Sequence, residues 1–132
     1  MKTLVVFYSY SGHTRAKACE LEEAATEIKD VQRPGKMKAY TLGCLAAIRG
    51  RAWPIEPLPV DFADFDKFIL LSPVWASNAP PAVNAFLEQL PEGKTVAVIM
   101  VSGGGKSGCR EKLEARIKAK GCMLEDFEDI KA

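Results

Sequence analysis

The sequence has 132 residues and is almost neutral, with 18 lysines and arginines against 17 aspartates and glutamates. A chain of this size buries roughly two-thirds of its unfolded surface, which predicts a single globular domain over residues 1–132. The near-neutral charge gives no basic footprint for nucleic acid, and no apolar run approaches the ~20 residues that cross a bilayer. We therefore expect a cytoplasmic protein without nucleic-acid or membrane partners.

The cysteines predict no metal centre. They are spread along the chain with no C-x-x-C pair, and His13 is the only histidine available to join them. In a reducing compartment such thiols behave as small apolar residues, so we expect them to be buried. They are Cys19, Cys44, Cys109 and Cys122.

The first half of the chain predicts two strands and two helices. An unalternating apolar run at residues 3–7 is typical of a central strand in a parallel sheet that is covered on both faces. A helical period follows over about 14–23, and a weaker, outer strand is predicted at 26–30, before a Pro-Gly turn. A second helix is predicted over about 36–48.

The second half predicts three strands and two helices. Apolar runs at 67–73 and 95–101 indicate central strands, and a weaker run at 122–127 indicates an outer one. Helices are predicted over 81–90, with proline as the start signal, and over about 110–120, with glycine after the end. The alternation of strands and helices predicts an α/β fold with a doubly wound, five-stranded parallel sheet.

Ligands of such sheets bind at the carboxyl ends of the strands, so the loops after Tyr8, Pro73 and Val101 are candidate sites. The first loop, residues 9–14, reads Ser-Tyr-Ser-Gly-His-Thr. Its hydroxyls and the backbone N–H groups at the start of a helix suit a phosphate, and Gly12 allows close approach. The alternative is that Ser11 or Thr14 merely caps the helix.

The second loop carries an aromatic residue at the ligand edge of the sheet. Pro73 ends the strand, and Trp75 follows next but one. A ring in this position can stack on a flat heterocycle. The alternative is that Trp75 packs on the following helix.

These two loops resemble those of the flavodoxin family. Residues 9–14 are similar to its T/S-x-T/S-G-x-T phosphate loop, and residues 73–87 are similar to its P-x-W-x…P-P-A…F-L segment. The resemblance runs from Leu4 to about Glu125. It implies a flavodoxin-like fold of three α/β/α layers with FMN as the cofactor.

The third loop is glycine-rich and has spacings found in two other motifs. Gly103-x-Gly105-x-x-Gly108 matches a dinucleotide fingerprint, but no second half of a dinucleotide-binding unit follows. A P-loop would require glycine where the chain has Met100. By resemblance, this loop instead lets backbone amides approach the flavin edge. It contains no aromatic residue, so the second flavin face would be open or covered by another segment.

The resemblance also implies which residues hold the cofactor. The phosphate would be held by Ser9, Tyr10, Ser11, Gly12, His13 and Thr14, one flavin face by Pro73, Val74, Trp75 and Ala76, and the pyrimidine edge by Ser102, Gly103, Gly104 and Gly105. The implied function is electron transfer with redox partner proteins, without a catalytic acid or base and without a metal. Two alternatives stay open, an FMN-dependent NAD(P)H:quinone or flavin reductase and a non-redox module that has lost FMN.

Two departures from the family bear on partners. The sequence ends just after the fifth strand, so we expect the family's last helix to be missing and the uncovered sheet face to self-associate or to be covered by another segment. Residues 31–51 carry five basic side chains and no acid. They predict a solvated basic helix, a docking surface for an acidic partner, or a positive field that favours the anionic reduced flavin.

Overall fold

The computed structural model describes residues 2–21 and 23–132. Its strands form one parallel sheet in the order β2-β1-β3-β4-β5. The strands are β1 (Thr3–Phe7), β2 (Ala24–Glu27), β3 (Lys67–Pro73), β4 (Thr95–Ser102) and β5 (Met123–Lys131). This order reverses direction next to β1, which confirms the predicted doubly wound sheet.

In the described residues, four helices connect these strands. They are α1 (His13–Cys19), α2 (residues 36–48), α3 (Pro81–Glu88) and α4 (Arg110–Ala119), with a short 3₁₀ turn at Phe62–Asp64. Helix α2 is continuous but changes its winding, because the π-helical segment Ala39–Gly43 lies between the α-helical segments Lys36–Lys38 and Cys44–Ile48. None of the helices in the described parts of the chain is long and apolar enough to cross a membrane.

The two faces of the sheet are covered unequally. On one face, α3 and α4 pack against the strands around an aromatic cluster in which Phe62, Phe68 and Phe86 meet edge to face. On the other face, α1 packs through Ala18 on Val5, and it is the one helix of the described residues in this smaller cluster. Here Ile69 and Ile99 are only partly buried.

Two predicted elements lie elsewhere than the sequence indicated. Strand β2 was expected at 26–30, but it pairs with β1 from Ala24 to Glu27, and Asp30 instead forms an isolated antiparallel bridge with Ile55. Helix α1 was expected to reach residue 23 and ends at Cys19, because the chain must turn before β2 begins. Part of that prediction falls on Glu22, which lies outside the described residues.

Strand β5 is longer than predicted. It was expected to end at Phe127 but continues to Lys131, pairing with β4 along its whole length with one irregularity opposite Val96 and Ala97. Its four carboxylates obscured the strand pattern, yet charged side chains are common on edge strands because they discourage pairing with other chains. The ends of α3 and α4 fall one or two residues short of their predicted limits.

Helix α2 has the reverse of the usual amphipathic pattern. Its buried residues are all small, namely Ala39, Gly43, Ala46 and Ala47. Its large apolar side chains are exposed, with Met37 at 82% and Tyr40 at 83% of their full accessibility. A helix of a soluble protein normally turns its large apolar side chains to the core. Burial of α2 therefore contributes little to the stability of the fold.

The cysteines only partly follow the expectation of burial. Cys109 and Cys122 are buried, and Cys44 is half-buried. Cys19 is exposed, so the prediction is wrong for this residue. It ends α1 next to Ala18, which takes the buried position, and neighbouring residues of a helix point about 100° apart.

We expect Phe86→Ala to lower the free energy of unfolding by about 3–5 kcal/mol, because a fully buried ring is removed from the aromatic cluster. Met37→Ala, on the exposed side of α2, should change it by less than about 0.5 kcal/mol. Urea denaturation followed by circular dichroism measures both. Equal losses in the two variants would contradict this account of where the core lies.

Candidate functional site

The loop after β1 presents a group of unused hydrogen-bond donors. Ser9 Oγ accepts the N–H of Gly12 at 3.0 Å, and Gly12 has φ 101°, so the loop folds back on itself. Within the described residues, the N–H groups of Ser9, Tyr10 and Ser11 have no hydrogen-bond acceptor. Successive free N–H groups in a tight loop form a concavity that attracts anions.

Thr14 and Ser11 add hydroxyl groups to this loop. Thr14 is 2% exposed, and among the described residues its hydroxyl has no hydrogen-bond partner. Ser11 is exposed, with its Oγ 3.3 Å from Nδ1 of the exposed His13. Neither hydroxyl caps α1, since the N-cap is Gly12 and has no side-chain hydrogen bond. The capping alternative is therefore wrong.

The loop is held from the side of β2. Tyr8 donates its hydroxyl to the Asp30 carboxylate at 2.6 Å, and Tyr10 donates its hydroxyl to the Pro34 carbonyl at 2.8 Å. The Arg33 guanidinium donates to the Tyr10 carbonyl at 2.7 Å and lies 4.5 Å from the centre of its ring. These contacts fix the back wall of a depression of about 450 Å³ that includes residues 8–12.

Burial shifts the pKa values of Tyr8 and Asp30, which share a hydrogen bond. Burial raises the pKa of the Asp30 carboxyl, against the opposing effects of the Tyr8 hydrogen bond and the Arg33 charge. Burial, followed by the hydrogen bond to Asp30, raises the pKa of Tyr8. Tyr8 therefore stays protonated and keeps donating to Asp30, which ties the end of β1 to the segment after β2.

The second loop leaves β3 in a tight turn. Trp75 and Asn78 exchange backbone hydrogen bonds of 2.9 and 3.0 Å, and the two residues between them, Ala76 and Ser77, both have left-handed φ of 51° and 60°. Such φ values are unfavourable for residues other than glycine and occur often at functional sites. The buried Asn78 holds the turn in place by donating to the Ala76 carbonyl and accepting from Lys112 of α4.

Trp75 is partly buried between the two loops and α2. Its ring meets Tyr8 and Tyr10 edge to face, with centroids 6.1 and 5.6 Å apart. The ring also lies so close to Gly43 that a Cβ there would be 2.7 Å from Trp75 Cζ3. The helix that approaches Trp75 is thus α2, which precedes it, whereas the sequence alternative named the following helix.

An apolar depression of about 460 Å³ opens beside Trp75. It is lined by Tyr10, Val74, Trp75 and Ala76 from the two loops and by Lys36, Ala39, Tyr40 and Cys44 from α2. The sequence motifs did not indicate these α2 residues, although Tyr40 places an exposed aromatic ring at this depression. Tyr10 lines both depressions, so the donor loop and the apolar surface adjoin.

The predicted third loop lies apart from these two depressions. Gly103 and Gly104 are exposed, and a Cβ added to either would have no neighbour within 4 Å. Gly105 faces Lys131 of β5, and Ser102 accepts the N–H of Ala132. The assignment of Ser102 to Gly105 to the cofactor remains a prediction. Pro73 is partly buried and pairs with Val101 at the end of the sheet.

Comparison with known proteins finds similarity to solved structures. No protein-family model matches the sequence, and no curated protein matches it. A flavoprotein from Lactobacillus acidophilus NCFM, crystallised in complex with FMN, is 24% identical with a TM-score of 0.75 over 96% of this chain and 91% of its own. The chain has the flavodoxin-like fold.

Two other proteins of this flavodoxin-like fold are less similar. Oxidised flavodoxin 2 from Bacillus cereus is 21% identical, with a TM-score of 0.56 over 99% of this chain and 84% of its own. An NADPH-quinone reductase from P. pentosaceus is 14% identical, with a TM-score of 0.57 over 99% of this chain and 85% of its own.

Among the described residues, no group of His, Cys, Asp or Glu is arranged to hold a metal ion.

We expect Gly43→Ala to lower the free energy of unfolding. Alanine gains about 1 kcal/mol in helix propensity over glycine, but its Cβ would meet the Trp75 ring at 2.7 Å, and overpacking costs about 1–3 kcal/mol. The near-ultraviolet circular dichroism of the tryptophans should change as well. Gly35→Ala is the control, since nothing lies within 4 Å of its Cβ position. A gain in stability for Gly43→Ala would contradict the close contact.

The raised pKa of Asp30 predicts a pH-dependent stability difference. The folded state holds this proton more tightly than the unfolded state, whose carboxyl titrates near 3.8, so ionisation of Asp30 reduces stability as the pH rises through that window. Asp30→Asn keeps an acceptor for Tyr8 and does not titrate. We therefore expect the free energy of unfolding of the variant, relative to the wild type, to rise with pH above 3.8 and then level off. A difference that stays constant across urea denaturations at several pH values would contradict it.

Proposed function

We propose that this protein binds FMN non-covalently and transfers electrons with redox partner proteins in the cytoplasm. One observation carries the proposal: a loop of unused hydrogen-bond donors adjoins an apolar, aromatic depression at the carboxyl ends of β1 and β3. FMN joins the two matching chemistries in one molecule, an anionic phosphate and a flat ring system. The likeness to an FMN-complexed flavoprotein supports the choice of this cofactor.

The donor set fits a terminal phosphate. The free N–H groups of Ser9 to Ser11 and the Thr14 hydroxyl can each donate to a phosphate oxygen, and hydrogen bonds to a charged group are the strong ones. No side-chain polar atom of the described residues is buried without a hydrogen-bond partner, so the Thr14 hydroxyl reaches the surface of the loop, where it is free to donate to an anion. Neutral donors suffice to bind a terminal phosphate, so a lysine beside it is not required.

The apolar depression fits a flat ring. Trp75 and Val74 of the second loop and Tyr40 of α2 all line it. Aromatic walls bind heterocycles through dispersion and stacking while excluding water from the buried side. FMN would supply the redox chemistry there, and the protein's residues would bind it, orient it and leave its outer side accessible to a partner.

A reductase is the second candidate function. The structural likeness to an NADPH-quinone reductase favours it. An FMN-loaded protein that oxidises NADPH continuously with a quinone acceptor would be an enzyme. One that exchanges electrons only with reduced or oxidised proteins would be a carrier.

We expect the cofactor-stripped protein to bind FMN more tightly than riboflavin, which has the same ring system without the phosphate. Thr14→Ala should weaken FMN binding about tenfold or more, because a hydrogen bond to a charged group is lost, and should leave riboflavin binding unchanged. Tyr40→Ala should weaken both ligands by the same factor. Quenching of flavin fluorescence on titration with protein measures all these affinities.

Met37→Ala is the matched control for Tyr40→Ala. Met37 is equally exposed on the same helix but does not line the depression, so FMN affinity should not change. Equal affinities of the wild type for FMN and riboflavin would exclude the first loop as a phosphate site. No binding of either flavin would favour the third interpretation, a fold retained as a non-redox interaction module.

A further inference from the structure

The outer side of α2 is an apolar surface without a cover. Six of the seven exposed large apolar side chains of the described residues lie within residues 31–48. Only Tyr40 among them lines the depression beside Trp75, so the proposed cofactor does not account for the others. Exposed apolar patches of this kind commonly mark an interaction site. The remaining five are Val31, Met37, Leu42, Leu45 and Ile48.

The same surface carries only positive charge. Lys38, Arg49 and Arg51 are exposed, and none of them forms an ion pair with any residue in the described parts of the chain. Lys38 instead lies 5.2 Å from the ring centre of Trp53. No acidic residue occurs between Val31 and Arg51. Unpaired cations beside apolar groups favour an occupant that is itself acidic and apolar.

These side chains surround a groove of about 440 Å³, whose α2 residues differ from those that line the depression beside Trp75. We call it the α2 groove. Its apolar lining comes from Val31, Leu42, Leu45 and Trp53, and its charged lining comes from Lys38, Arg49 and Arg51. Hydrogen bonds connect the groove to the helices of the core. The buried Asn84 of α3 donates to the Arg51 carbonyl at 2.9 Å and accepts from Arg116 of α4.

The charge pattern argues against a second copy in the groove. In a symmetric dimer the same surface faces itself, and every charged side chain of residues 31–51 is positive, so the two copies would repel. The protein's own acidic strand, β5, could approach the groove of another copy. That contact is attractive in charge, and the light-scattering measurement described below tests it.

We propose that the α2 groove binds an acidic segment of a partner protein, whose apolar side chains enter between Leu42, Leu45 and Trp53 and whose carboxylates pair with Lys38, Arg49 and Arg51. An acidic amphipathic helix has this combination of groups. Because other residues of α2 line the depression beside Trp75, the bound partner and the proposed cofactor would contact the same helix. None of the residues that line the groove also lines the depression beside Trp75.

The test uses a rhodamine-labelled peptide of about 15 residues, with glutamates and leucines at the spacing of an amphipathic helix. Fluorescence anisotropy measures its affinity for the cofactor-free protein. The double variant Arg49→Glu/Arg51→Glu should weaken binding about tenfold or more at about 0.05 M salt, and this difference should shrink at about 0.5 M. Leu42→Ser/Leu45→Ser should weaken binding at both salt concentrations.

Two controls keep the result specific. Lys118→Glu/Lys120→Glu makes the same charge change at the C-terminal end of α4 and should leave the peptide affinity unchanged. A peptide with lysine in place of glutamate should not bind, and equal binding of that peptide would overturn the proposal by showing simple apolar adhesion. Unchanged affinity in Arg49→Glu/Arg51→Glu would also overturn it.

Two further outcomes identify other occupants and would overturn the proposal as well. Light scattering that shows concentration-dependent association, abolished by Leu42→Ser/Leu45→Ser, would assign the groove to a second copy. Sedimentation with anionic lipid vesicles, with no binding of the acidic peptide, would assign it to a lipid surface. FMN affinity should be the same in the charge variants as in the wild type, so failure of this proposal is distinguishable from failure of the proposed function.

Discussion

The pairing of β1 with β3 is the constraint on which the candidate site depends. Phe7 lies opposite Leu71, so both strands deliver the chain to the same edge of the sheet, although the loops that follow are more than sixty residues apart in sequence. The first loop brings free N–H groups, and the second brings the Trp75 ring. Neither loop alone offers both free hydrogen-bond donors and an apolar wall. Strand order, rather than either motif, places the two chemistries side by side.

Helix α2 adds a further wall through one close contact. Gly43 lets the backbone of α2 approach the Trp75 ring. The neighbouring buried positions are alanines, so the helix packs close to the residues beneath it. Interiors are packed densely, and a single added methyl group is felt at such a contact. The π-helical segment occurs at this point, and segments of that kind are frequent at functional sites. The region between β2 and β3 thereby becomes part of the site.

The sequence predicted the central strands because β1, β3 and β4 are unbroken apolar runs that no surface element would carry. The sequence placed the end of β5 too early, because the acidic residues between Glu125 and Asp129 interrupt the apolar pattern. Such residues suit an exposed edge strand, which has no regular apolar period. The first loop was proposed as a phosphate site from its hydroxyls and glycine, whose chemistry is local, and that assignment stays a prediction. Tyr40 was missed because its role depends on where α2 docks, and that is decided by Gly43 and Trp75 together. Long-range packing of this kind leaves no short pattern to find.

The inverted burial of α2 separates two properties that most helices combine. In α3, the residues that could recognise another molecule are the ones that hold the core, so a change in one alters the other. In α2, the core contacts belong to alanine and glycine, while the large and charged side chains face outward. Substitutions there can accumulate without loss of folding. Related proteins with this architecture are thus free to diverge in what they recognise while keeping the same scaffold.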